Sequence, residues 1–248
     1  MFSETHCHLR SISDDVTRHL EKLDVELVLN AGTDFASSEQ AILTSGKSNI
    51  VKACVGIHPW NADLYDRIAH RRLKELAAHT GVIAISEIGL DYVGRRNREG
   101  KYVNEYIDRR IQRTAFHEQL KLAKQLRLPV IVHDRTPGQE VLEIIGKEGN
   151  AEIGAVIHGF SKDLAYAEKC ADMNIYISIG LRAITAPENK ELKEVIKHMP
   201  LERLLAETDS GNPEGVLTVT EKIAALKGLT KNYVGQSTTQ NLRKLTGL

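Results

Sequence analysis

The chain has 248 residues, 42% hydrophobic and 27% charged, enough for one large α/β core or two small ones. Its 33 basic and 33 acidic residues cancel, so no global field draws it to nucleic acid or membrane, although a local basic rim or bound metals could still hold phosphates. Three cysteines without any C-x-x-C spacing, Cys7, Cys54 and Cys170, argue against a disulfide framework or zinc knuckle and for a reducing, cytoplasmic setting.

In chain order, short β-rich runs alternate with amphipathic, charged stretches. Ser3, Glu4, Thr5 and His6 interrupt the start at once, unlike a signal peptide, and no later apolar run reaches the length of a membrane span. The expected strands are Phe2–His6, Glu26–Asn30, Val51–Gly56, Val82–Glu87, Pro129–His133, Ala155–His158, Ile175–Ser178 and Leu204–Glu207. Runs such as Val-Ile-Ala-Ile (82–85) and Pro-Val-Ile-Val (129–132) are continuously apolar, as in strands buried on both faces. Helical patterns lie between them. Ser13–Lys22 opens with an N-cap serine and an acidic first turn. Ser37–Thr44, Ala69–His79, Asn104–Leu126, Gly138–Gly146, Lys162–Ala171, Glu188–His198, Thr218–Leu226 and Thr238–Leu245 follow. Eight β/α units in about 250 residues fit a single (β/α)8 TIM-type barrel over 1–248 better than a doubly wound sheet. A Rossmann-like sheet would carry G-x-G-x-x-G after its first strand; neither that motif nor a P-loop occurs. The least regular stretch, Asp91–Val103, carries Arg95, Arg96, Arg98 and Lys101 after the fourth strand, where a barrel builds its functional face.

Thr5-His6-Cys7-His8 ends the first expected strand. Alternation puts His6 and His8 on one face, half of a metal site, and turns Cys7 away as a packing residue. Ten histidines give about 0.4 such pairs by chance, so the pair needs company. His58, His133 and His158 also fall at or just after strand C-termini, with Glu87 ending the fourth strand and Glu207 and Asp209 at the eighth. A parallel barrel gathers all these ends on one rim. The other five histidines, His19, His70, His79, His117 and His198, lie on charged helical stretches and read as solvated. Neutral imidazoles and carboxylates bind zinc, manganese or related divalent ions, and one carboxylate can be shared by two. Two ions roughly 3.5–4 Å apart lower the pKa of a water and steady the charge on an attacked phosphate or carbonyl, and a nearby carboxylate takes the proton. No G-x-S-x-G occurs and no serine or cysteine has an evident base partner, so covalent catalysis is the weaker reading.

Thr-His-Cys-His-Leu (5–9), Gly-Ile-His-Pro-Trp (56–60), Ser-Glu-Ile-Gly-Leu-Asp-Tyr (86–92), Leu-Pro-Val-Ile-Val-His-Asp-Arg (128–135) and Glu-Thr-Asp (207–209) together resemble the signature blocks of the TatD family. These are metal-dependent hydrolases of the amidohydrolase superfamily, many of them deoxyribonucleases. The blocks stand in the family's order and span nearly the whole chain. The resemblance implies two divalent ions (zinc, manganese or magnesium), with His6 and His8 on the first, His133 and His158 on the second, and Glu87 shared between them. It implies Asp209 as a further ligand and the general base, which makes Glu87 and Asp209 the expected catalytic residues. For the substrate it implies DNA, single-stranded or at 3′ ends, cleaved at phosphodiester bonds by a 3′ to 5′ exonuclease. His58 is expected either to touch a substrate phosphate or to pack in its loop with Pro59 and Trp60. Trp60 would stack on a base or pack there, and Arg135 would meet a phosphate bidentately or pair with Asp134. Asp91 would orient a ligand from behind or hold its loop, and Glu207 would support the rim.

Departures from the family pattern fall in the loops. Glu4 stands where the family usually has aspartate, Ser-Gly-Asn-Pro-Glu follows Glu-Thr-Asp, Thr-Pro-Gly follows His-Asp-Arg, and Arg182 stands where many relatives have a shorter or neutral turn. The ligand set is untouched, so substrate choice is the property these changes bear on. A second expectation therefore keeps the site and changes the bond, to an ester or amide of aminoacyl-tRNA or a small metabolite. A third, a non-catalytic scaffold, is opposed by the complete ligand set. The basic loop would either guide a strand by charge or serve as a solvated surface.

Overall fold

Eight strands alternate with helices in a computed structural model of the chain, which describes residues 1–94 and 106–248. The basic segment with Arg95, Arg96, Arg98 and Lys101 lies outside the described residues. Strands β1 (Phe2–Cys7), β2 (Val25–Ala31), β3 (Val51–Val55), β4 (Val82–Asp91), β5 (Val130–Arg135), β6 (Ala155–Ile157), β7 (Tyr176–Gly180) and β8 (Leu204–Glu207) pair in sequence order, each neighbour parallel. The ring closes between β8 and β1, where Asp209 N–H donates to His6 O and His8 N–H to Ser210 O, both at 2.9 Å. This is the expected (β/α)8 barrel.

The helices are α1 (Asp14–Lys22), α2 (Phe35–Ser45), α3 (Arg67–Ala77), α4 (Arg109–Leu126), α5 (Gln139–Glu148), α6 (Leu164–Asp172), α7 (Leu181–Thr185), α8 (Lys190–His198), α9 (Val216–Lys227) and α10 (Lys231–Thr246). Ser13 caps α1 as its sequence suggests, its hydroxyl accepting Val16 N–H. Strand residues divide between two cores. One set, including Val28, Val55, Val130, Val132, Ile157 and Ile179, packs outward under the helices. The alternate set, Leu27, Leu29, Cys54, Ala84, Ile131, Val156, Tyr176 and Leu205, forms a separate cluster with Leu242 and Leu245 of α10. By strand alternation this second cluster is the barrel interior, and α10 plugs its N-terminal end.

Four elements differ from the sequence expectation, among them α4, which starts at Arg109 behind its Asp108 cap, with 106–108 non-helical, rather than at Asn104. β4 runs four residues past Glu87, because Ile88, Gly89, Leu90 and Asp91 continue the ladder with Val132–Arg135 of β5. Helix α10 starts at Lys231, seven residues earlier than its apolar pattern suggests, with Thr230 as N-cap. The short α7 directly after β7 was not among the expected helices. Among the described residues no helix is long and apolar enough to cross a membrane.

Candidate metal centre

The strand ends bring His6, His8, His58, Glu87, His133, His158 and Asp209 together at one rim, whereas His19, His70, His79, His117 and His198 stay outside the cluster. Glu87 is the centre of it. Its Oε1 lies 2.7 Å from His133 Nδ1, 2.7 Å from His158 Nε2 and 3.3 Å from His58 Nε2. Its Oε2 faces the other way, 3.4 Å from His6 Nε2 and 3.8 Å from His8 Nε2. One carboxylate with each oxygen turned to a different set of imidazoles has the shape required of a ligand shared by two cations. A register shift in β4 between Ile85 and Ile88 aims this side chain, as irregular strand positions beside sites commonly do. Gly89 follows with φ +141°, and a Cβ there would collide with His133 O, so β4 and β5 lie closer than any other residue would permit.

Most of the imidazoles have one nitrogen held and the other aimed inward. His8 Nδ1–H donates to Ala31 O at 3.0 Å, leaving Nε2 toward Asp209 Oδ1 at 3.3 Å. His133 Nε2–H donates to Asp91 Oδ2 at 3.1 Å, leaving Nδ1 toward Glu87. His158 turns Nε2 to Glu87, and its Nδ1 stands 3.5 Å from Glu207 Oε1 without a hydrogen bond. Such outer partners fix ring orientation and tautomer in metal sites. His6 is the exception: wholly buried, with no hydrogen-bond partner on either ring nitrogen among the described residues. An unpaired buried imidazole is costly, and a cation beside Nε2 would remove the share of that cost that falls on Nε2. His6, His8 and Glu87 form one group that could hold an ion, His58, Glu87 and His133 another, and His6, His158 and Asp209 a third. The residues present therefore fit divalent cations. The sequence reading brought His58 to the same rim, to touch a substrate phosphate or pack in its loop, and its ring does stand there beside Glu87.

The charges support the same arrangement. Despite burial, the charge of His158 and the hydrogen bonds of His133 and His158 hold the Glu87 carboxyl well below the usual range. Burial and neighbouring His158 lower His6, and burial brings His58 down to about 4, so both are neutral. Burial opposes protonation of His158, yet Glu87 and Glu207 raise it well above its ordinary value. His8 is raised against its burial by Asp209 and Glu87. Asp209 sits at φ +51°, a left-handed turn that aspartate tolerates, and its half-exposed side chain faces His8 and His6. Against partial desolvation, the His8 hydrogen bond, supported by the charge of His158, lowers its carboxyl to about 2.

The other expected contacts resolve as follows. His58 Nδ1 accepts Trp60 N–H at 3.0 Å while Nε2 faces Glu87, so it both caps the 3-10 turn Pro59–Leu64 and reaches the site. Trp60 Nε1–H donates to Asp91 Oδ2 at 2.9 Å. Arg135 does not pair with Asp134; its Nη1 donates to Asp91 Oδ2 at 3.2 Å and its guanidinium lies 5.9 Å from the Trp60 ring. Asp134 points outward instead, accepting the Tyr166 hydroxyl at 2.6 Å and Gly138 N–H and meeting Lys162 at 3.3 Å. His58, Trp60 and Arg135 line one cavity of about 170 Å³ with Glu87 and Asp209. Asp91 touches neighbours on both sides: Oδ2 accepts from His133, while Oδ1 accepts Val93 and Gly94 N–H. Glu4 is buried at the β1–β8 seam, where its Oε1 accepts His6 and Thr208 N–H, both at 2.9 Å.

A parallel barrel with imidazoles and carboxylates crowded at its strand C-termini defines a metal-dependent hydrolase barrel. The chain belongs to the TatD related DNase family, whose model matches residues 4–247. It is 31% identical over 262 residues to the uncharacterized metal-dependent hydrolase YabD of Bacillus subtilis (strain 168), covering 99% of this chain and 98% of that protein. It is 26% identical over 248 residues to the 3′-5′ ssDNA/RNA exonuclease TatD of Salmonella typhimurium (strain LT2), covering 94% and 92%. The crystal structure of YjjV, a TatD homologue from Escherichia coli K12, matches with a TM-score of 0.82 at 25% identity, covering 100% of this chain and 98% of that one.

Proposed function

We propose that residues 1–248 form one catalytic barrel that hydrolyses phosphodiester bonds of DNA from a 3′ end, with His6, His8, Glu87, His133, His158 and Asp209 holding two divalent ions. The observation that carries this reading is the division of Glu87, one oxygen toward His6 and His8 and the other toward His133 and His158. When bound, a pair of divalent cations supplies Lewis acidity and a lowered water pKa. The chain supplies the rest. Asp209 is ionised throughout the neutral range and half-exposed at the mouth, placed to take a proton from an attacking water. Arg135, 37% exposed along its side chain, offers its free guanidinium edge to a phosphate while Asp91 holds the other edge. The partly exposed Trp60 gives a flank on which a base can stack. A relative named a 3′-5′ ssDNA/RNA exonuclease supports a nucleic-acid substrate. The buried, unpaired thiols of Cys7, Cys54 and Cys170 support a cytoplasmic setting.

The test is to purify the protein, quantify its ions, and assay a single-stranded DNA ladder beside aminoacyl-tRNA and simple esters with Mg²⁺, Mn²⁺ or Zn²⁺. DNA is expected to shorten from its 3′ end, and Asp209→Asn to slow this by about 10²–10⁴-fold with folding retained. DNA that stays intact with all three ions while an ester is cleaved would overturn the nuclease reading in favour of an ester or amide hydrolase.

A further inference from the structure

The β5–β8 half of the rim holds a cavity of about 390 Å³ that shares His133, Arg135, His158 and Asp209 with the smaller cavity on the β1–β4 side. That is large enough for a small-molecule fragment. It lies over the end of β6, at Gly159 and Ser161, flanked on one side by Arg135 from β5 and on the other by Arg182 from α7. Ala183 and Ala186 keep the Arg182 side open with short apolar walls.

Arg182 differs electrostatically from the other cations nearby. Arg135 is tied to Asp91 at 3.2 Å and Lys162 to Asp134 at 3.3 Å. Arg182 is exposed at the cavity mouth and has no carboxylate partner among the described residues. Glu207 and Asp209 line the same cavity, so an anion needs the divalent cations of the proposed centre to rest at the inner end, whereas Arg182 attracts one to the outer wall unaided. A substrate with one anionic group at the metal centre and a second one a short distance away fits this polarity. A singly charged ester leaves the guanidinium unused.

We infer that Arg182 binds the phosphate adjoining the scissile phosphodiester, and that the cavity over β6 seats the nucleotide between the two phosphates. The inference rests on the phosphodiesterase reading and narrows it to substrates with consecutive phosphates. Arg182 thereby selects oligonucleotides over isolated diesters.

Binding of a hydrolysis-resistant phosphorothioate oligothymidine, followed by fluorescence anisotropy across a salt series in EDTA and in Mn²⁺, tests the contact independently of turnover. Arg182→Ala and Arg182→Gln are each expected to weaken binding about tenfold and to make the log–log salt slope shallower by about 0.7. Arg182→Lys should restore most of the slope but only part of the affinity, because lysine keeps the charge without the bidentate fork. In turnover, Arg182→Ala should raise KM several-fold more for an oligothymidine than for thymidine 5′-(p-nitrophenyl phosphate), which has no neighbouring phosphate. Unchanged affinity and slope, or equal losses on the two substrates, overturn the assignment. If neither substrate is hydrolysed while Arg182-dependent binding persists, the anion subsite stands and the hydrolytic reading falls.

Discussion

Asp91 shows how much of the rim depends on one side chain. It is fully buried, and its two oxygens accept from Trp60, Arg135, His133, Val93 and Gly94, while its backbone is clamped by both ends of the Gln112 amide. Removing it would free the His133 ring, so Asp91→Ala is expected to weaken metal binding about 10–100-fold, measured by competition with a chromogenic chelator. Desolvation opposes ionisation of Asp91, but the His133 hydrogen bond and charge lower its carboxyl from 3.8 to about 2. A depressed carboxylate contributes stability that is present above the unfolded value and lost as pH falls through the folded one. The displacement corresponds to about 2 kcal/mol. In urea denaturation of metal-free protein, the gap between wild type and Asp91→Asn should therefore be full at pH 6 and much reduced at pH 2.5. Asp134 illustrates what the sequence did contain. Adjacency suggested it as the partner of Arg135, but consecutive strand residues point to opposite faces, and alternation alone sends Asp134 outward to Tyr166 and Lys162. The role of His58 was not legible in that way, because its two ring nitrogens serve different neighbours and only the turn at Pro59 decides which faces Glu87.

At the scale of elements, the seam between β8 and β1 is the place where a barrel must close, and Glu4 closes it. Its Oε1 serves two backbone donors, His6 N–H and Thr208 N–H, while burial, reinforced by Glu207, raises its carboxyl well above the usual range. Glutamine carries the same acceptor without a charge, so Glu4→Gln should change stability by less than about 1 kcal/mol. Glu4→Ala orphans two buried N–H groups and should cost about 2–4 kcal/mol in urea unfolding. The repeat of apolar runs and amphipathic stretches made the eight strands legible, because parallel strands covered on both faces have few alternatives. Element ends were less so. The sequence ends the fourth strand at Glu87, yet Ile88 and Leu90 are wholly buried and extend β4 toward His133 and Arg135. The first turns of α10 are polar, and Gly235 interrupts them for a tertiary reason: a Cβ there would lie 2.5 Å from the Phe2 ring. What that helix contributes lies further along, where Leu242 joins the barrel interior and Asn241 donates to Leu201 O and Leu204 O. Leu242→Ala is expected to destabilise the fold by about 2–5 kcal/mol, again by urea unfolding, without altering the rim.

For the whole molecule, equal numbers of basic and acidic residues leave little long-range field, so the charges acting on the rim are chiefly its own. Glu87 and Asp209 are ionised there, and burial leaves His6 and His58 neutral. His158, and to a lesser degree His8, instead retain protons because Glu87, Glu207 and Asp209 outweigh their burial. In the metal-free protein these protons compensate the carboxylates. If His158 and His8 are ligands, as proposed above, each must be neutral when a divalent cation is bound, so loading would expel these protons. Two consequences can be measured. The enthalpy of Mn²⁺ binding at pH 7 should change with the ionisation enthalpy of the buffer, a signature of proton release. The stability effect has a definite sign: an imidazole raised above its unfolded value stabilises the fold fully below about pH 6.5, and that contribution disappears as pH rises through the folded value. Calorimetric Tm in EDTA should therefore decline as pH increases above neutrality, while bound Mn²⁺ takes over the compensation of Glu87 and gains affinity as its competitor protons leave. The separation between the Mn²⁺ and EDTA curves is expected to widen from pH 6 to pH 8.5. A separation that stays constant over that range would mean that His158 carries no proton in the metal-free rim, and the electrostatic account of how the centre holds together without its cations would be wrong.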